Sequence, residues 1–129
     1  MKEQPLVLVI EDNEALRETL CDNLKSKGYN LFGAKDGGKA LKFIKEVGRP
    51  SIVITDIFMP EVDGLEIISY LRKNLPETKI IAISGGYRTL ASANVLNVAK
   101  SLGVAAIFEK PFDFRAVNAK IKQLLEDDE

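Results

Sequence analysis

Histidine is absent from the chain, and cysteine occurs once, as Cys21. The first absence excludes imidazole as a general base, as a phosphoryl carrier and as a metal ligand. Any phosphohistidine in this protein's chemistry must therefore belong to another molecule, and any metal is expected to be a hard cation on oxygen ligands. The lone thiol excludes an internal disulfide. Charge of one sign is lacking too, since 18 basic and 19 acidic residues leave a net charge of −1. No basic stripe is present, so nucleic acid is not an expected partner. No apolar run approaches a membrane span, and Met1-Lys-Glu-Gln-Pro-Leu lacks the apolar segment of a signal peptide. The expectation is a cytoplasmic protein with no membrane partner.

What is present fits one domain over residues 1–129, with 46% hydrophobic and 29% charged residues. Five short apolar runs, at 6–10, 29–32, 52–54, 80–83 and 104–108, alternate with five amphipathic segments. Three of the runs are rich in Val and Ile without polar alternation, the pattern of strands covered on both faces. The mixed second run reads as an edge strand. In the first amphipathic segment Leu16, Leu20 and Leu24 recur every four residues, with Asn13 as N-cap and Gly28 as stop. Asp36-Gly37-Gly38 opens the second helix, which carries Ala40, Leu41, Ile44 and Val47 and closes at Gly48 and Pro50. Further helices are expected over about 65–75, with Asp63-Gly64 as the turn that opens it, over 89–102 and over 113–126. Cys21 reads as a small core residue at the flank of the first helix. A βα unit repeated five times predicts a doubly wound α/β fold with right-handed crossovers.

Functional groups of such a fold gather outside the carboxyl ends of the strands. Strand one ends in Glu11-Asp12, strand three in Asp56, strand four in Ser84 followed by Gly85-Gly86, and strand five in Lys110-Pro111. Three carboxylates, a hydroxyl and an ammonium thus converge on one rim. Carboxylates so close repel one another, and a cation removes the conflict.

In this order, Glu11-Asp12, the motif Asp56-Ile-Phe-Met59-Pro60-Glu-Val-Asp63-Gly64, Ser84 and Lys110-Pro111-Phe112 resemble a response-regulator receiver domain, the phospho-accepting module of two-component signalling. The resemblance covers the whole chain. It implies a flavodoxin-like (CheY-like) five-stranded parallel sheet of order 2-1-3-4-5. It implies Asp56 as phospho-acceptor, with Lys110 and Ser84 completing the phosphoryl site. It also implies Mg²⁺ held by Asp12, Asp56 and the backbone carbonyl of Phe58, with Glu11 acting mainly through bound water. A strained or cis bond is expected at Lys110-Pro111. The implied partners are a sensor histidine kinase or phosphotransfer protein in trans. An output partner, or a second copy, is expected on the face of helix four, strand five and helix five.

On that fourth helix Ala91, Val95, Val98, Ala99 and Leu102 form one apolar face, while Leu90 and Leu96 lie off it. The chain departs from the family at Ile107, where an aromatic residue usually stands three before the lysine. Phe108 points to the opposite face. Ile107, or a movement of Tyr87, is expected to replace that aromatic coupling.

Three other readings compete. An aspartyl-phosphate phosphatase would carry a second acid two residues after the nucleophile, where this chain has Phe58. A flavin carrier would need a phosphate-cradling loop where Glu11-Asp12-Asn13 stands. A pseudo-receiver that only binds partners would not need the acids and Lys110. No output domain follows the fifth helix, so a stand-alone protein and a piece of a longer chain both stay open, the Met1 start and charged end leaning toward the first.

Overall fold

The computed structural model describes residues 4–57, 64–85 and 97–127. Its strands are β1 (Leu6–Ile10), β2 (Asn30–Ala34), β3 (Ile52–Asp56), β4 (Lys79–Ser84) and β5 (Ala106–Glu109). The helices are α1 (Glu14–Ser26), α2 (Gly37–Val47), α3 (Gly64–Asn74), α4 (described over 97–101) and α5 (Phe114–Asp127). All strand pairs are parallel, in the order β2-β1-β3-β4-β5.

The period-two alternation of strands sorts the core into two layers. Leu8, Ile10, Val53, Ile80 and Ala82 face Ile44 of α2, Ile67, Ile68 and Leu71 of α3, and Ala99 of α4. Val7, Val9, Ile52, Ile54, Ile81 and Ile83 face Leu20 and Leu24 of α1 and Val117, Ile121 and Leu124 of α5. The three central strands are therefore covered on both sides, which is why their sequences are continuous Val/Ile runs. Asn118 Nδ2 donates to Asn23 Oδ1 at 2.7 Å and ties α5 to α1.

Local chemistry sets the ends of the helices. Asn13 Oδ1 accepts from the Leu16 N–H at 2.9 Å, and Asp36 Oδ1 from the Lys39 N–H at 2.8 Å, both as N-caps. Gly28 and Gly103 stop α1 and α4 with left-handed φ of 94° and 85°.

The edge strands depart from the expected boundaries. Strand two runs over Asn30–Ala34 and not 29–32, because the ladder starts with the Asn30 N–H on the Pro5 carbonyl at 3.0 Å. Strand five begins at Ala106, not at Val104, whose N–H still turns back to the Ala99 carbonyl at 3.4 Å. Val47, expected on the apolar side of α2, is 64% exposed at the last turn, beyond the reach of the sheet. Val98, expected on the inner face of α4, is exposed, while Ala99 is buried. Cys21 is half-buried against the α1–α5 layer and not fully in the core. Ala91 and Val95, the start of that helix at 89, Leu90, Leu96, Tyr87 and the Asp63 turn lie outside the described residues.

The two layers predict unequal mutational costs. Leu20→Ala should lower unfolding free energy by about 2–5 kcal/mol in urea denaturation. Val47→Ala should change it by about 0.5 kcal/mol or less. Equal losses at the two positions would contradict this packing.

Candidate functional site

The chain reverses direction across the sheet at β1. From β1 it goes to β2 on one side, then returns to β3 on the other. A crevice opens there at the carboxyl ends of β1 and β3. Glu11 follows the last residue of β1, and Asp56 is the last residue of β3. Carboxylate oxygens of Glu11, Asp12 and Asp56 all lie within 4.8 Å of one another. Glu11 and Asp56 are buried, at 1% and 3% exposure, whereas Asp12 faces solvent.

Lys110 enters from β5. Its main chain is fixed by its N–H on the Ser84 carbonyl at 2.8 Å, and its bond to Pro111 is cis, as expected. Lys110 Nζ donates to Asp56 Oδ2 at 2.8 Å. The same nitrogen stands 2.7 Å from Glu11 Oε1. That second approach is an ion pair, and the buried Glu11 Oε1 has no other donor beside the ammonium. Glu11 Oε2 accepts from the Asn13 N–H at 3.0 Å. Ser84 is buried at the tip of β4, one residue past Ile83, which pairs with Asp56.

Burial holds the Glu11 carboxyl above the ordinary carboxylate range. The Lys110 ammonium and the Asn13 N–H oppose that rise, and Asp12 and Asp56 add to it. For Lys110, burial pulls the ammonium down, but Asp56 and Glu11 outweigh it and hold its pKa above the usual lysine value.

The donor set fits a hard divalent cation. Three carboxylates face one ammonium, so one positive charge leaves the cluster under-compensated. All the facing atoms are oxygens, and the buried Glu11 Oε1 has only the shared Lys110 ammonium to answer its charge. Glu11, Asp12, Asp56, Ser84 and Lys110 are thus brought to one rim as expected. The Phe58 carbonyl lies outside the described residues. Arg17 escaped the sequence reading: its Nη1 donates to the Glu11 carbonyl at 2.8 Å. The available signal was its place one turn into α1, from which helical side chains lean back toward the strand end.

Removing one acid from such a cluster should stabilise the metal-free protein. Asp12→Asn is expected to raise unfolding free energy by about 1 kcal/mol in chelator-treated samples. Thermal melts would check it, and a lower melting temperature for Asp12→Asn would contradict the repulsion.

Among the described residues no helix is long and apolar enough to cross a membrane. A family model for the response regulator receiver domain matches residues 7–122. The chain is 36% identical over 93% of its length to a segment of the sensor kinase CckA of Brucella abortus. It is 32% identical over 92% of its length to the alkaline phosphatase synthesis transcriptional regulatory protein PhoP of Bacillus subtilis. It spans only 12% of the former protein and 48% of the latter. Among solved structures, a response regulator receiver protein from Pseudomonas putida is 30% identical, with a TM-score of 0.83 over 95% of this chain and 99% of that one. A CheY-like receiver domain protein from Methanospirillum hungatei is 26% identical, with a TM-score of 0.86 over 97% and 96% of the two chains. With its five parallel strands in the order 2-1-3-4-5 and its acids at the switch point, this chain belongs to the response regulator receiver domain family.

Proposed function

We propose that the chain, as one domain over residues 1–129, accepts a phosphoryl group on Asp56 from a phosphohistidine of a partner protein and so changes what it binds. The observation that carries this reading is a buried carboxylate, Asp56, held 2.8 Å from the Lys110 ammonium within an acidic cluster. The chain has no histidine of its own to act as donor.

An Asp56 oxygen attacks phosphorus, the P–N bond of the donor breaks, and the leaving imidazole takes up a proton. The product is an acyl phosphate. Transfer of this kind asks the protein mainly for alignment and charge neutralisation. Asp56 is aligned by its strand and by Lys110. The ammonium can follow the negative charge from the carboxylate onto the phosphoryl oxygens without leaving the site. The Ser84 hydroxyl, at the adjacent strand tip, donates to a phosphoryl oxygen. Asp12, Asp56 and the Phe58 carbonyl would hold Mg²⁺, with Glu11 mainly through water. When bound, the ion supplies the positive charge the cluster lacks and open positions for phosphoryl oxygens.

Donor access is supported by an open cleft of about 500 Å³ beside Lys110, lined by Leu16, Gly85, Phe112 and Phe114. It would receive a sensor histidine kinase or a phosphotransfer protein. A second cleft, of about 480 Å³, borders Lys100, Ile107 and Glu109, away from the acids. It supports the α4–β5–α5 side as the face for an output partner or a second copy. Ile107 packs into the α2–α3 layer and Phe108 into the α1–α5 layer. Ile107, not Phe108, is therefore the residue that could follow an inward Ser84. The setting consistent with this function is the cytoplasm.

Incubation with a small phosphodonor and Mg²⁺ should add one phosphoryl group by mass, and chelation should suppress the addition. Asp56→Asn should abolish it. A phosphoryl group that persists in Asp56→Asn, or none in the unaltered protein, would refute the assignment.

A further inference from the structure

We propose that Arg17 is a positioning residue for the acidic pocket, setting the peptide plane from which Glu11 and Asp12 both hang. The inference rests on the receiver reading of the pocket and adds a residue to it.

Glu11 is the point where β1 gives way to the acidic loop. Its N–H makes the last rung to β2, on the Ala34 carbonyl at 3.0 Å. Its carbonyl instead accepts Arg17 Nη1–H at 2.8 Å. A peptide unit is planar, so fixing that carbonyl also fixes the Asp12 nitrogen and the direction of its Cα. One guanidinium thus anchors the main-chain atoms from which the two side chains spring. The Glu11 carboxylate is then held in turn by the Asn13 N–H at 3.0 Å.

The fold makes room for this contact. Gly33 of β2 stands opposite Val9 of β1, on the sheet face that α1 covers. A Cβ at position 33 would come within 3.1 Å of Cys21 Sγ, 3.3 Å of Arg17 Cγ and 3.4 Å of its Cδ. The missing side chain leaves a track in which the arginine stem lies across the strand. Among the described residues Arg17 forms no ion pair, although Glu14 and Glu18 share its helix. Its donor is committed to a main-chain oxygen beside three carboxylates. That is the role of an outer partner that orients ligands without touching the ligand they bind.

Arg17→Met keeps an apolar stem over Gly33 and removes the donors, and Arg17→Lys keeps a single charged donor. Calorimetric titration with Mg²⁺ alone should show affinity about tenfold weaker for Arg17→Met, with Arg17→Lys between it and the unaltered protein. In metal-free samples the Asn13 amide should exchange with solvent faster in Arg17→Met. Mg²⁺ affinity and Asn13 exchange both unchanged, with only the melting temperature lowered, would reduce Arg17 to a helix–strand staple and overturn the proposal. Should Arg17→Met fail to fold, Gly33→Ala in a Cys21→Ala background, which relieves the nearer sulfur, crowds the arginine stem and keeps its charge, must weaken Mg²⁺ binding relative to Cys21→Ala alone. If the unaltered protein binds no Mg²⁺, the receiver reading of the pocket fails, and Asn13 exchange alone then decides the role of Arg17.

Discussion

The pocket depends on one ammonium placed between two buried carboxylates. Lys110 Nζ lies 2.8 Å from Asp56 and 2.7 Å from Glu11. At about 4 Å and an effective dielectric of about 20, a pair of unit charges interacts by about 4 kcal/mol. Without the lysine, the two acids would sit in the crevice as uncompensated charges, a state that proteins avoid by protonation or unfolding. With it they remain acceptors, yet the cluster is still short of positive charge because Asp12 adds a third carboxylate at the rim. That residual demand makes the site receptive to a cation and to a group that brings oxygens with it.

The architecture exists to deliver these groups to one edge. Parallel strands end together, so residues at the tips of β1, β3, β4 and β5 meet although they are far apart in sequence. The burial of both faces makes the sheet rigid, and the edge carries the chemistry. Glu11 shows the local cost. Burial raises its pKa, so its charged form is disfavoured where function would use it. Such local instability is common at functional sites and is offset by the apolar layers on either side of the sheet.

Much of this was legible in the chain itself. The central strands announced themselves through Val/Ile runs, and the acids at the carboxyl ends of β1 and β3 followed from where those runs stop. Asn13 and Asp36 could be named as caps because a short polar side chain before an amphipathic segment has few other uses. The edges were harder to read. Gly33 has no strand-forming side chain, yet it lies within β2, because its value there is the space it leaves for Arg17 and Cys21. Val47 fits the helical period but lies past the last turn that reaches the sheet, and periodicity carries no information about where a neighbour ends. Arg17 was hard to read for a related reason, with only its place one turn into α1 as a hint. Its partner is a main-chain carbonyl, and no residue type in the sequence signals a carbonyl left over at a strand end.

On the proposed function, Asp56 accepts a phosphoryl group in a cation-filled acidic pocket with Lys110 as its counter-charge. The most direct test is a crystal structure with Mg²⁺ and a tetrahedral phosphoryl mimic. Phosphoryl acceptance at Asp56 calls for an ion about 2.0–2.1 Å from oxygens of Asp12 and Asp56, the mimic on Asp56, and Lys110 Nζ turned to the mimic. An empty pocket with Lys110 swung into solvent would contradict it.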